Sequence, residues 1–268
     1  MEANNPKRFS AANPFISWYL VDMGRSTTQT VEGVQICHHF SRIVNDVFNA
    51  FIDKHRDQMP DENYSRISVF TVLGKGLKND WEGGLPNLNK NPIVFSIMDS
   101  RKTTDEDGLT KETRVTTPVF LLPIPQGKSH LGWAMEVLYG KCMKTDIFPH
   151  RLTIMSGTLV FDDSNYDDYA LAQECAGKFK EQGTEICFAH MSSKKGNPVW
   201  FPNDENELTD DTSRYAFQMA SSISEDDCVL ANKHFGYDLL EGAKWVSTFS
   251  NPVAIKDFIQ LGFLPDEA

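Results

Sequence analysis

Three short polar stretches could together supply oxygen ligands for a metal ion or a carboxylate for catalysis. Asp22 ends an apolar run in "WYLVDMGRST" and is followed four residues later by Ser26. Ser129 lies in "PQGKSHLGW", and Ser156 lies in "RLTIMSGT". Carboxylate and hydroxyl oxygens are the ligands that Mg2+ and Mn2+ prefer, and a carboxylate can also act as a nucleophile. Either chemistry requires that the fold bring these side chains together.

The segments around these stretches alternate between strand-like and helix-like patterns. Short apolar runs predict buried strands, and apolar residues at three- and four-residue spacing predict amphipathic helices. The predicted strands cover 15–21, 66–73, 151–161 and 184–191, and the predicted helices cover 36–52, 130–143, 168–183, 214–223 and 251–262. This alternation predicts an α/β fold with a mostly parallel central sheet and helices on both faces. The carboxyl ends of the strands then meet at one edge, where Asp22 and Ser156 would lie.

The middle of the chain departs from this alternation. Residues 74–92 are rich in Gly, Asn and Pro and predict a loop. Segments 93–98 and 113–124 predict an antiparallel hairpin, and Asp107-Gly108 between them is a turn signal. We expect this hairpin to add one antiparallel edge to the sheet.

The order of these elements resembles the von Willebrand factor A (VWA) family over about residues 14–225. "WYLVDMGRST" stands where that family has its D-x-S-x-S strand. "PQGKSHLGWAMEVL" is similar to the family's GGTxLxxAL segment, and "RLTIMSG" is similar to its strand ending in Asp-Gly. The resemblance implies a Rossmannoid architecture. The C-terminal "KWVSTFSNPVAIKDFIQLG" resembles the final helix of small stand-alone bacterial members, such as those found with tellurite-resistance systems.

The resemblance also implies a site for Mg2+ or Mn2+. Asp22, Ser26 and Ser129 match the family's ligands in residue type, whereas Gly24 replaces its first Ser and Ser156 replaces its second Asp. A single carboxylate is a poor magnesium site because dehydration of the ion requires strong anionic ligands. We therefore expect a degenerate site that binds a divalent ion weakly or not at all.

Three alternatives concern individual residues of this site. Asp162 could replace the missing carboxylate if the strand beginning at residue 151 continues to Phe161. Asp22 could be a turn residue, and Ser129 could cap the following helix. A P-loop at "QGKS" would need glycine where the sequence has Leu122, so we do not predict nucleotide binding there.

The function that the resemblance implies is protein–protein interaction. We expect a non-enzymatic scaffold module of a cytoplasmic complex, with a binding face formed by the loops at 22–28, 126–130 and 156–168. The alternative is a metal-dependent α/β hydrolase or phosphotransferase that uses Asp22. A further alternative is a subunit of a larger assembly, with contacts made by the predicted hairpin and by Trp81 and Trp200 in loop-like stretches.

Composition limits the partners and the compartment. The 268 residues include 26 basic and 37 acidic ones, and the net charge of −11 disfavours nucleic acid or an anionic membrane as partner. Five widely spaced cysteines form no C-x-x-C motif and predict reduced thiols. Because we find no signal peptide or membrane-length apolar stretch, we predict a cytoplasmic protein.

The same patterns suggest a domain organisation. Residues 1–12 are predicted to be a flexible N-terminus, followed by one VWA-like domain over 13–265. That domain would contain a hairpin insertion at about 74–117 and a C-terminal helical extension at about 226–265.

Overall fold

The computed structural model describes residues 14–54, 65–74, 76–84, 87–88, 92–104, 110–159, 166–192 and 199–249. Four expectations fall outside these ranges: the flexible terminus over 1–12, the Asp107-Gly108 turn, the position of Asp162 and the helix over 251–262. Within the described residues, no helix combines the length and apolarity needed to cross a bilayer.

Strands and helices alternate along most of the described chain. The strands are β1 Phe15–Asp22, β2 Thr30–Val31, β3 Val34–Gln35, β4 Ser65–Leu73, β5 Gly76–Gly84, β6 Val94–Thr104, β7 Thr110–Val119, β8 Arg151–Ser156, β9 Glu185–Met191, β10 Val199–Trp200 and β11 Val246–Phe249. The helices are α1 Ile36–Lys54, α2 Leu131–Thr145, α3 Tyr166–Glu181, α4 Asp211–Met219 and α5 Glu225–Phe235.

Seven strands form the central sheet in the order β10-β11-β9-β8-β1-β4-β5. β1 pairs in parallel with both β4 and β8, and β9 pairs in parallel with both β8 and β11. β5 runs antiparallel to β4 at one edge. The predicted mixed α/β fold, mostly parallel with an antiparallel edge, is therefore confirmed, and the two-residue β10 adds a second antiparallel edge.

The antiparallel edge beside β4 comes from a segment that we predicted to be a loop. Residues 76–84 form β5, which pairs along the length of β4. Its polar composition gives no sign of a strand in the sequence. Trp81 anchors it, because this side chain is buried and its ring lies 5.8 Å from that of Phe48 and 5.5 Å from that of Phe120. The proposal that Trp81 belongs to a partner surface is therefore wrong.

The predicted hairpin forms, but it does not join the central sheet. β6 and β7 pair with each other as a separate two-stranded sheet. Its base is fastened to α1, where the Asn45 side-chain oxygen accepts hydrogen bonds from the backbone N–H groups of Phe120 and Leu121 at 2.7 and 3.1 Å. Asn49 donates to the carbonyl of Pro118 at 3.1 Å. The polar face of α1 thus forms hydrogen bonds with the backbone at the end of β7 and just after it.

The C-terminal segment is less helical than we expected. α5 lies at its start, but residues 246–249 form β11, a parallel strand beside β9. Buried Arg151 on β8 joins this part to the sheet, since its guanidinium contacts Glu185 at 2.7 Å and Asp227 of α5 at 3.1 Å.

Candidate functional site

A row of polar residues crosses four neighbouring strands at the carboxyl edge of the sheet. Asp22 ends β1 and Ser156 ends β8, and these strands are paired up to Val21 and Met155, one residue earlier. Ser156 is in register with His190 of β9, which is in register with Thr248 of β11. Side chains in register on paired strands share one face of a sheet. Earlier residues of the same strands are largely apolar and belong to the core. The polar row therefore marks the end of the core.

Asp22 is the centre of a hydrogen-bonded cluster, which we call the Asp22 cradle (Asp22, Gly24, Ser26, Ser129 and Ser156). Its carboxylate is almost fully buried. One oxygen accepts from the backbone N–H of Gly24 at 2.6 Å, and the other accepts from the hydroxyls of Ser26 and Ser156 at 3.3 and 3.4 Å. Asp22 therefore shapes the turn after β1 and also accepts hydrogen bonds from hydroxyl groups of the loop after β1 and of the end of β8.

Two of the three predicted binding loops are joined by their backbones. The Arg25 N–H donates to the carbonyl of Gly127 at 2.7 Å, and the Gln126 N–H donates to the carbonyl of Met23 at 2.7 Å. Gly127 has a φ of +68°, a left-handed conformation that glycine adopts without strain. The loops at 22–28 and 126–130 consequently form one continuous surface.

Gly24 allows this close approach. A Cβ atom at position 24 would lie 2.8 Å from both the Cβ and the backbone nitrogen of Ser129, and 2.9 Å from Oδ1 of Asp22. The φ of Gly24 is −74°, which any residue can adopt, so the requirement is for space and not for backbone freedom. The space that a serine side chain would need at position 24 is occupied by Ser129.

The carboxyl group of Asp22 is buried, and hydrogen bonds compensate only part of the effect of that burial on its pKa. Burial raises the pKa of Asp22, and hydrogen bonds from Gly24, Ser26 and Ser156 oppose that rise without cancelling it. The Ser129 hydroxyl lies close enough to lower the same pKa, yet it is buried without a well-formed hydrogen bond to the described residues. A buried hydroxyl that lacks a well-formed hydrogen bond costs free energy.

These residues fit a divalent ion in shape but not in charge. The side-chain donors of Asp22, Ser26, Ser129 and Ser156 are all oxygen atoms. Among the described residues, however, no group of three or more His, Cys, Asp or Glu side chains converges on any point. The second carboxylate of the family pattern is replaced by Ser156, and β8 ends at that residue instead of continuing to Phe161.

The N-terminus of α2 is already occupied by a carboxylate from another helix. Asp168 of α3 accepts hydrogen bonds from the backbone N–H groups of Gly132 and Trp133, both at 3.1 Å. The expectation that Ser129 caps this helix is wrong, because the N-cap residue is His130 and the capping oxygens come from Asp168. A phosphate group cannot use the same N–H groups while Asp168 holds them.

His190 is a polar residue of this region that sequence reasoning missed. Its side chain is fully buried, and neither ring nitrogen forms a well-aligned hydrogen bond to the described residues, although the backbone of Ser156 and Gly157 lies close enough to act on its pKa. Burial lowers its pKa, while Asp210, whose Oδ1 lies 3.8 Å from Nε2, acts in the opposite direction. A lone histidine in an apolar strand carries no sequence signal, since its neighbours in space come from β8 and α4.

The structure thus brings together all four predicted site residues, Asp22, Ser26, Ser129 and Ser156. The start of the third loop lies beside the first loop, because a Cβ at Gly157 would lie 3.4 Å from the Ser26 carbonyl oxygen. Trp200, the other tryptophan considered as a contact residue of a larger assembly, is partly buried. Its ring packs 5.3 Å from that of Tyr237.

Comparison with known proteins gives a likeness of fold. No protein-family model and no curated protein sequence matches the chain. Among solved structures, the pilus adhesin SpaC from Lactobacillus rhamnosus GG superposes with a TM-score of 0.51 at 10% identity, over 93% of this chain and 30% of SpaC. Proximal thread matrix protein 1 from the mussel byssus gives 0.47 at 10% identity, over 93% of this chain and 47% of that protein.

The PilB minor pilin from Streptococcus sanguinis gives a TM-score of 0.42 at 11% identity, over 92% of this chain and 61% of PilB. The chain therefore spans less than two thirds of each of these proteins. At such low identity the likeness to SpaC concerns the fold alone.

Proposed function

We propose that this chain is a non-enzymatic protein-interaction module and that its binding face is the carboxyl edge of the sheet. We call this the strand-end face, formed by the loops at 22–28, 126–130 and 156–168. One observation carries the proposal: backbone hydrogen bonds hold the first two loops together as a preformed surface above a buried carboxylate. A preformed surface avoids the ordering cost of binding.

The same observation argues against the alternative that Asp22 serves a hydrolase or phosphotransferase. A nucleophile must reach its substrate, whereas Asp22 is 1% exposed and both of its oxygens accept hydrogen bonds. Among the described residues, no second carboxylate forms a hydrogen bond to the Asp22 cradle. Asp22 in this arrangement stabilises a surface and is not placed to react with a substrate.

The Asp22 cradle is, in this proposal, a degenerate metal site. Asp22, Ser26, Ser129 and Ser156 would hold any Mg2+ or Mn2+, with a single carboxylate as the only anionic ligand. Ion binding to the native state alone raises the melting temperature by an amount that grows with the ratio of free ion concentration to the dissociation constant. We expect millimolar Mn2+ or Mg2+ to raise it only slightly relative to EDTA, and Asp22→Asn to abolish that rise. A large shift at micromolar metal would show that the site is intact.

Binding through the strand-end face can be tested with bulky neutral substitutions. Thr28 and Gln126 are exposed on the first two loops. Thr28→Trp and Gln126→Trp should abolish recovery of the partner from cells that make the protein, measured by quantitative affinity capture. Thr145→Trp, at the exposed far end of α2, is the matched control. If only Thr145→Trp loses capture, or if all three variants still capture the partner, the binding surface lies elsewhere.

A cytoplasmic complex is part of the proposal. It is supported by the cysteines, all five of which are free thiols, and four of which are buried. The expected partner is another protein of the same compartment. Co-fractionation of the endogenous protein with a cytoplasmic assembly would support this, and recovery on the outer cell surface would refute it.

A further inference from the structure

We propose that two copies of this chain associate through the outer edge of β7, so that their β6–β7 hairpins form one four-stranded antiparallel sheet. The two β7 strands would run antiparallel to each other about a twofold axis at Thr113. This inference concerns a surface other than the strand-end face, and it does not rest on the proposed function.

The β6–β7 hairpin has two outer edges that no other described strand covers. β6 and β7 pair with each other and with none of the other described strands. A two-stranded sheet is only marginally stable in water, and an uncovered edge presents backbone N–H and C=O groups that can pair with another chain. A third and a fourth strand from a second copy would meet both requirements.

Of the two outer edges, that of β7 has the more regular backbone. In β6, Ile97 and Met98 together lie opposite the single residue Thr116 of β7. An extra residue of this kind bends its strand and interrupts strand pairing. The register of β7 runs without a break over residues 110–115. The β7 edge is therefore the better template for a further strand.

Helix α1 limits how far such pairing can extend. Asn49 of α1 donates a hydrogen bond to the Pro118 carbonyl at 3.1 Å, near the end of β7. Proline also has no N–H group to donate to a new strand. We therefore place the contact between copies over residues 110–116, before this point.

The sequence of this edge is self-complementary in one antiparallel register. In "TKETRVT" (110–116), an axis at Thr113 sets Glu112 opposite Arg114 of the second copy, once on each side of the axis. It also sets Thr113 opposite its own counterpart, and Thr110 opposite Thr116. Opposite charges and threonine pairs stabilise directly opposed positions of antiparallel strands, whereas like charges destabilise them. The favoured partner of this edge is consequently a second copy of the same edge.

Shifts of this register lose the complementarity. An axis at Glu112 or at Arg114 sets that charged residue opposite its own counterpart. An axis midway between Glu112 and Thr113 sets Lys111 opposite Arg114, which is also a like-charge pair. With the axis at Thr113, Lys111 lies opposite Val115, so no like charges meet. The charges thus select one register for the dimer.

Sedimentation equilibrium of the full chain tests the proposal. Physiological ionic strength is used because it screens the repulsion between two chains that each carry a net charge of −11. The wild type should show a monomer–dimer equilibrium. Glu112→Arg and Arg114→Glu each create two like-charge pairs in the dimer and should weaken association by about tenfold or more. Lys144→Glu reverses an exposed charge on α2 and should associate as the wild type does.

Mixing the two single variants separates loss of the contact from damage to the hairpin. An equimolar mixture of Glu112→Arg and Arg114→Glu sets two basic residues of one copy opposite two acidic residues of the other. Mixed dimers should therefore form although each variant alone is mainly monomeric. The double variant Glu112→Arg/Arg114→Glu should associate as the wild type does, since it restores both pairs in reverse. A variant with a misfolded hairpin would be rescued by neither change.

Cross-linking tests the register and the choice of edge. Thr113→Cys sets the new thiol opposite its counterpart, at a separation that a disulfide can span. Mild oxidation should convert this variant to covalent dimers faster than the wild type. Ser100→Cys, in the middle of β6, is the matched control and should not cross-link faster than the wild type.

Four results would overturn the proposal. The first is a wild type that stays monomeric up to its limit of solubility. The second is a pair of single variants that dimerise as the wild type does, and the third is a mixture of these variants that stays monomeric although the wild type dimerises. The fourth is cross-linking of Ser100→Cys without cross-linking of Thr113→Cys. None of these results bears on partner capture by the strand-end face, which Thr28→Trp and Gln126→Trp test separately.

Discussion

At the scale of single residues, two positions fix the geometry of the strand-end face. Gly24 leaves room for Ser129 because it has no side chain, and the Asp168 carboxylate satisfies the first N–H groups of α2. Both decide how the loops at 22–28 and 126–130 are held.

The first prediction concerns Gly24. Gly24→Ala places a Cβ 2.8 Å from Ser129, and overpacking at such a position costs about 1–3 kcal/mol of unfolding free energy. Gly140→Ala is the matched control, since a Cβ at this helical glycine of α2 meets no atom within 4 Å. Urea unfolding monitored by circular dichroism should show a loss for the first variant and none for the second. Equal stability of both variants would contradict the close packing of the two loops.

The second prediction concerns Asp168. Asp168→Ala removes two capping hydrogen bonds and should cost about 0.5–2 kcal/mol, in the range found for helix caps. Asp167→Ala changes the neighbouring exposed residue of the same helical turn and should have a much smaller effect. Thermal melts of the two variants provide the comparison. An equal loss in both would assign the effect to the first turn of α3 and not to α2.

At the scale of elements, the polar face of α1 determines where the β6–β7 hairpin is attached. Asn45 forms hydrogen bonds with three backbone groups of Phe120 and Leu121, and Ser41 donates to the Leu121 carbonyl at 2.6 Å. An isolated two-stranded hairpin is only marginally stable in water. The contact with α1 therefore supports the segment that leads into the loop at 126–130.

The third prediction follows from that attachment. Asn45→Ala leaves backbone N–H groups of Phe120 and Leu121 without their acceptor and should cost about 1–3 kcal/mol. Hydrogen–deuterium exchange at residues 118–121 should accelerate. Asp46→Ala, at the adjacent exposed position, should leave both quantities unchanged. Protection at 118–121 that survives Asn45→Ala would mean that the hairpin base is held by other groups.

At the scale of the whole molecule, buried titratable groups link the outer elements to the central strands. Arg151 on β8 contacts Glu185 on β9 and Asp227 on α5, and its guanidinium lies 4.6 Å from the Trp245 ring. At the other end of the sheet, His190 lies near Asp210, which caps α4. Global stability should therefore depend on pH through groups far from the exposed surface.

The fourth prediction is the sign of that dependence at His190. Burial lowers its pKa below the usual value of about 6.5, so the unfolded chain binds more protons than the native one just below that pH. His190 should therefore contribute a loss of stability as pH falls from about 6.5 toward the native pKa, with a slope of at most about 1.4 kcal/mol per pH unit.

The measurement is the pH dependence of the unfolding free energy between pH 7 and 5, taken as roughly the window of histidine titration. His190→Gln should flatten the slope whatever its effect on absolute stability. His38→Gln, the same change at an exposed position of α1, is the control. An unchanged slope in His190→Gln would show that the imidazole does not titrate differently on folding.

Local patterns were sufficient to predict most elements of the sheet and its helices. β1, β4, β8 and β9 are apolar runs, and α1 has an apolar stripe, because burial on one or both faces imposes a period that a single segment displays. The order of these segments also predicted that Asp22 and Ser156 would meet. Parallel strands end at one edge, so the order of the chain determined which loops approach each other.

The remaining features depended on residues that are distant in the sequence. Asp168 caps a helix 36 positions away, and Asn45 holds backbone groups 75 and 76 positions away. β5 is polar and becomes a strand through its pairing with β4 and the burial of Trp81. The sequence alone determined the α/β alternation and the meeting of Asp22 with Ser156, because both follow from local periodicity and chain order. Only the tertiary structure decided that Ser129 fills the space beside Gly24 and that the Arg25 N–H bonds to the Gly127 carbonyl, because these contacts join separate loops.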